Sequence, residues 1–171
     1  NAVRAILDAN EYKFVMMTET HLYEGKKPNH PNYTFVGRSR KKINSKGGIA
    51  IGYPKEIADQ VIKVREGTGN NEFILLKYTG VSPPLIVGVV YGNQENTTPD
   101  TTIRDNLTEL FAAINEYKTQ GCNILIGGDF NVHVGEAIEK NEPKVSKGGK
   151  ILTELMKDFG LDFANKLEKG Q

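Results

Sequence analysis

Residues 123–135 read N-I-L-I-G-G-D-F-N-V-H-V-G. Ile124, Leu125 and Ile126 form a short continuous apolar run, which predicts a strand buried on both faces. Gly127 and Gly128 end that run or admit another backbone at close range. Asp129 and Asn131 come next, and alternate residues of an extended chain point to the same side. A carboxylate and a carboxamide therefore stand together at the end of a buried strand, where open α/β sheets hold their ligands. Hard oxygens of this kind suit Mg²⁺ or Mn²⁺ better than zinc. The same residues also suit a plain turn, because Asp and Asn side chains bond their own backbone.

Upstream lies the strongest helical signal. Ile103, Leu107, Leu110, Phe111, Ile114 and Tyr117 make one apolar stripe at three- and four-residue steps. Thr98 suits the N-cap, Pro99 the first turn, Asp100 the positive helix end and Gly121 the stop. Residues 73–76 and 85–90 read as two strands, and the short linker 79–84 predicts an antiparallel hairpin. The second strand runs into Tyr91-Gly92-Asn93-Gln94. A strand, a helix and the 124–126 strand in succession predict a crossover packed on a sheet.

Toward the N-terminus, Ala2, Val3, Ile6 and Leu7 have helical spacing. Residues 14–17 read as another buried strand, ending in Thr18-Glu19-Thr20-His21-Leu22. Glu19 thus comes after an apolar strand as Asp129 does, although an acid there is often only a boundary residue. Residues 23–32 read as loop. Arg38, Arg40, Lys41, Lys42 and Lys46 then crowd together before Gly47-Gly48 and a strand from Ile49. Such a loop can grip phosphates or be a solvated hairpin tip. Beyond Gly135 a polar loop to 147 precedes an amphipathic helix with Ile151, Leu152, Leu155, Met156 and Phe159, stopped by Gly160. Residues 161–164 read as one more strand.

With 171 residues the chain is long enough for one domain with a proper core. Its net charge of +1 excludes a global basic field, so a nucleic-acid partner has to be held by a local patch. A single cysteine, Cys122, excludes an intrachain disulfide and a zinc–thiolate cluster, and suits a reducing compartment. No apolar run is long enough to span a bilayer, and no signal-peptide pattern is visible.

These pieces resemble the endonuclease/exonuclease/phosphatase superfamily, and most of all the endonuclease domains that accompany the reverse transcriptase of non-LTR retrotransposons. The similarity is carried by T-E-T-H-L at 18–22, G-G-I-A-I at 47–51, V-V-Y-G at 89–92 and I-G-G-D-F-N at 126–131, in the family's order. The segment from Gly149 through Asn165 is similar to the next stretch of those endonucleases. The resemblance implies an α/β (α+β) fold, a partial four-layer sandwich of two mainly antiparallel sheets flanked by helices, formed by residues 1–171 as one domain. It implies Mg²⁺- or Mn²⁺-dependent hydrolysis of nucleic-acid phosphodiesters, DNA first and RNA as the alternative, in the nucleus or cytoplasm. Glu19 and Asp129 are then the metal residues. Asp129 orients or activates water, Asn131 holds the phosphate, and Tyr91 contacts the phosphate or supports the leaving group. Arg38, Arg40, Lys41, Lys42, Lys46 and Asn93 are expected along the nucleic acid, with His21 and His133 as supporting residues.

The departures shape the expectation. The family's first strand, with its asparagine, and its closing Ser-Asp-His tripeptide are not found here; His21, His30 and His133 are the only histidines. The expectation is therefore a weakly active or inactive polypeptide, since a general acid or base contributes about 10²–10⁴ in rate. A non-catalytic module that binds nucleic acid or protein, and a phosphatase of the same superfamily, are the alternatives. Open sheet edges would also invite a homodimer.

Overall fold

A computed structural model describes residues 2–9, 11–23, 26–39, 47–135 and 144–164, with Ala2 and Val3 as backbone only. The elements, in order, are α1 (Ala2–Ala9), β1 (Val15–Met17), β2 (Tyr33–Arg38), β3 (Ile49–Pro54), a 3₁₀ turn (Lys55–Gln60), β4 (Val61–Glu66), β5 (Glu72–Tyr78), β6 (Leu85–Tyr91), α2 (Asp100–Thr119), β7 (Asn123–Asp129) and α3 (Lys147–Asp158). The fold is mixed α/β with two sheets, as the sequence predicts. The chain divides into two compact units, Asn1–Tyr91 with Tyr117–Asp129, and Gly92–Glu116 with Phe130–Gln171.

The first unit holds both sheets. One is antiparallel with strand order β1-β3-β2, and the other has the order β4-β5-β6-β7. β5 and β6 form the expected antiparallel hairpin, and β7 lies parallel to β6 after the α2 crossover. The sheets face each other across a core in which Ile49, Ile51 and Tyr53 meet Ile74, Leu76, Val87 and Val89. Side chains of this size each contribute roughly 1.5–3 kcal/mol on full burial. α1 lies against the other face of the three-stranded sheet, where Leu7 packs with Tyr33 and Phe35. Cys122 is buried just before β7.

Four local readings change. The 124–126 strand exists, but it is not buried on both faces: β7 is the last strand of its sheet, and Leu125 is 43% exposed. A strand with a neighbour on one side only is covered incompletely. For the same reason β1 is half-buried rather than buried. Residues 161–164 form no strand. β2 and β4 were not anticipated. In β4 the register with β5 shifts between Lys63 and Arg65, and the extra residue erases the alternation that marks a half-buried strand.

In the second unit the α2 stripe is buried as expected at Ile103, Leu107, Leu110, Phe111 and Ile114. Phe111 stacks with Phe159 at 5.6 Å between ring centres. α3 starts earlier than its apolar residues suggest, because Ser146 caps it: its Oγ accepts from the Gly149 N–H at 3.1 Å. Ser146→Ala is expected to cost about 1 kcal/mol. A lowered urea midpoint at unchanged slope is the measurement, and an unshifted midpoint would refute the cap's contribution.

Candidate active site

Residues 18–22 leave β1 in an unusual backbone conformation. Glu19 and His21 have φ of 49° and 52°. With Asn131 at 54°, they are the non-glycine positive-φ residues among those described. Asparagine and histidine enter this region fairly readily, whereas glutamate gains nothing there. Such outliers persist only where surrounding bonds hold them. Here the Thr20 N–H donates to the Gly48 carbonyl at 2.9 Å and the His21 N–H to that of Gly47 at 3.3 Å. The Gly47-Gly48 pair at the start of β3 therefore fixes the loop.

Glu19, so held, meets the end of the other sheet. The Tyr91 hydroxyl donates to Glu19 Oε1. His21 Nε2 lies 3.7 Å from the other carboxylate oxygen, with both side chains about half exposed. Tyr91 and Asp129 are register partners on β6 and β7, so their Cα atoms are about 5 Å apart and their side chains share a face. Glu19, Tyr91 and Asp129 are thus gathered at one end of the first unit, at the carboxyl ends of β6 and β7. Both carboxylates are open to solvent.

Asn131 belongs to the second unit. Its Nδ2 donates to the Gly92 carbonyl at 2.8 Å, which ties the loop after β7 to the loop after β6. The first of these loops is fixed from several sides within that unit. The His133 N–H donates to Ser146 Oγ at 3.0 Å, and the Ser146 N–H returns a bond to the His133 carbonyl at 2.9 Å. Glu95 Oε1 accepts from the Gly148 N–H at 2.7 Å, a favourable location for a carboxylate in the first turn of α3. A Cβ at Gly149 would run into the His133 carbonyl, so only glycine lets α3 approach this closely. His133 itself is exposed.

The residues expected along a nucleic acid divide. Arg40, Lys41, Lys42 and Lys46 lie outside the described residues. Arg38 ends β2 with its guanidinium on the carbonyls of Gly67, Gly69 and Asn71, and so fastens the β4–β5 turn. Asn93 accepts from Asn106 of α2 at 2.5 Å. His30 is at the far end of the sheet, buried, with Nε2 2.9 Å from Asp8 Oδ1 and Nδ1 accepting from the Asn32 N–H. Glu72 and Glu95 carry no motif, and sequence reading passed over both.

As a donor set, Glu19 and Asp129 offer hard carboxylate oxygens with solvent access. Among the described residues, no three His, Cys, Asp or Glu side chains cluster so as to hold a metal ion by themselves. Two exposed carboxylates are a donor set of the kind Mg²⁺ takes, since it commonly binds one or two carboxylates and completes its shell with water and substrate phosphate. No helix among the described residues is long and apolar enough to cross a membrane.

No protein-family profile matches the sequence, and no curated protein does. Solved structures do resemble it. The endonuclease domain of TRAS1, a telomere-specific non-LTR retrotransposon, matches 98% of this chain with a TM-score of 0.65 at 15% identity. The AP endonuclease LMAP from Leishmania major matches 92% with a TM-score of 0.68 at 13% identity. The match spans 66% and 60% of those two chains, respectively. The chain therefore has the endonuclease/exonuclease/phosphatase fold that its motifs suggested, and these structural neighbours are nucleases.

Proposed function

We propose that this chain is a nuclease domain that hydrolyses nucleic-acid phosphodiesters with the aid of Mg²⁺ or Mn²⁺, with DNA as the first substrate and RNA as the alternative. The observation that carries the reading is the juxtaposition of Glu19 with Tyr91 and, through strand register, with Asp129. The fold shared with two endonucleases supports it. So does the location of left-handed backbone at Glu19, His21 and Asn131, all of them in the motif segments.

In this reading Glu19 and Asp129 hold the cation. A divalent metal held by them would supply the positive charge that polarises a phosphoryl oxygen and offsets charge building up during attack by water. Asp129 orients that water and takes its proton. Tyr91, whose hydroxyl is set by its bond to Glu19, contacts the scissile phosphate or supports the leaving group. Asn131, anchored on Gly92, holds the phosphate through its carboxamide. Arg40, Lys41, Lys42 and Lys46 would contribute positive charge toward a nucleic acid, while Arg38 acts from within the fold. The retroelement-type setting and an intracellular location, nucleus or cytoplasm, complete the proposal.

Incubation of supercoiled plasmid with Mg²⁺ is the test. Slow conversion to the nicked form, abolished by EDTA and restored by Mn²⁺, is expected. The second reading is a module that binds nucleic acid without cleaving it. Salt-sensitive DNA binding with no metal-dependent nicking would select the second reading over the first.

A further inference from the structure

We propose that Glu72 is a positioning residue for the Glu19 carboxylate, acting through the Gly47-Gly48 backbone. The inference deepens the nuclease reading, since it assumes that Glu19 is the group to be positioned.

Glu72 opens β5. Its register partner is Tyr91 on β6, whose partner is Asp129 on β7. Three polar side chains therefore form one row across adjacent strands, facing the same way. Their roles differ. The Glu72 carboxylate does not reach for solvent alone: Oε2 accepts from the Gly48 N–H at 2.8 Å. Gly48 in turn accepts from Thr20, and Gly47 from His21, both just downstream of Glu19. A chain of hydrogen bonds thus runs from the head of β5, through the start of β3, into the loop after β1.

The glycines make the linkage possible. Gly47 and Gly48 have φ of 100° and 88°, and a Cβ on Gly47 would collide with the Glu72 carboxylate. Both glycines are buried. A buried N–H that loses its acceptor is costly, and a carboxylate is a strong acceptor for it. Glu19 is consequently held twice. Tyr91 grips the side chain, and Glu72 secures the peptide that keeps residues 19 and 21 left-handed.

Two conservative variants separate reach from charge. Glu72→Gln keeps an oxygen at the same distance without the charge. Glu72→Asp keeps the charge on a side chain one methylene too short for Gly48. Amide hydrogen exchange at Thr20 and His21 reads the positioning directly. In Glu72→Asp, exchange at these two amides is expected to accelerate by about tenfold or more, while amides of β5 and β6 keep their protection. Glu72→Gln should retain protection at all of them. Mn²⁺ titration of the folded proteins should show the same order, with weaker binding for Glu72→Asp and near-parental binding for Glu72→Gln. Nicking should lose kcat in the Asp variant with little change in KM for DNA.

Unchanged exchange at Thr20 and His21 in Glu72→Asp overturns the proposal whatever happens to activity. Accelerated exchange with undiminished Mn²⁺ affinity overturns it as well, because the hold would then not reach Glu19. A parent protein that neither binds Mn²⁺ nor nicks DNA sinks the nuclease reading instead, and the exchange comparison still decides whether Glu72 orders the loop.

Discussion

Asp129→Ala is expected to lower Mg²⁺-dependent nicking by about 10²–10⁴-fold, the range for losing a positioned acid–base group. The substitution removes the carboxylate that shares a strand register with Tyr91, the group proposed to hold the cation together with Glu19. Stability should hardly respond. Asp129 is exposed at the end of an edge strand, and such surface substitutions usually stay within about 0.5 kcal/mol. Loss of nicking with an unaltered urea midpoint is therefore the signature of a chemical role. Equal nicking by parent and variant, from protein free of contaminating nuclease, would remove Asp129 from the mechanism.

The second large effect concerns folding. Phe73→Ala is expected to destabilise the protein by about 3–5 kcal/mol. Phe73 is fully buried on β5, which has β4 on one side and β6 on the other. Its ring leaves a void that an interior strand, bonded on both sides, cannot close by moving. Domains of this size commonly have only about 5–15 kcal/mol to lose. The variant should therefore unfold at a much lower urea concentration, or fail to accumulate. Ile62→Ala serves as the contrast: Ile62 is 55% exposed on the edge strand β4, so its loss should be small. A Phe73→Ala loss below about 1 kcal/mol would mean that this part of the core repacks freely.

Much of this arrangement could be read from local pattern. The α2 stripe is buried from Ile103 to Ile114, with Tyr117 only half-buried, because a period of about 3.6 over twenty residues is hard to mimic by chance. The β5–β6 hairpin and the parallel return through α2 agree with element order and linker length. The convergence of Glu19, Tyr91 and Asp129 was legible because each ends an apolar strand. What local pattern cannot show is which strand lies beside which. The apolar run in β7 reads as interior, yet its lateral place exposes Leu125. In β4 a bulge breaks the alternation, so the strand leaves no periodic signal. Residues 161–164 have strand-like composition and no partner strand among the described residues. Glu72 is the sharpest case: in sequence it is an acid at the head of an apolar run. Its importance arises from the register with Tyr91 and the meeting with Gly48, both contacts between distant segments.

The left-handed turn at Glu19 sets heat tolerance against chemistry. Glycine would suit that backbone better and would make the chain hardier, while deleting the group that Tyr91 grips. A screen for thermal endurance alone would drift toward that exchange and yield a sturdier protein without a group that the proposed chemistry requires. Engineering for robustness should therefore begin elsewhere, on the solvent-facing side of β4 or along α2, where nothing in the proposed chemistry would be given up.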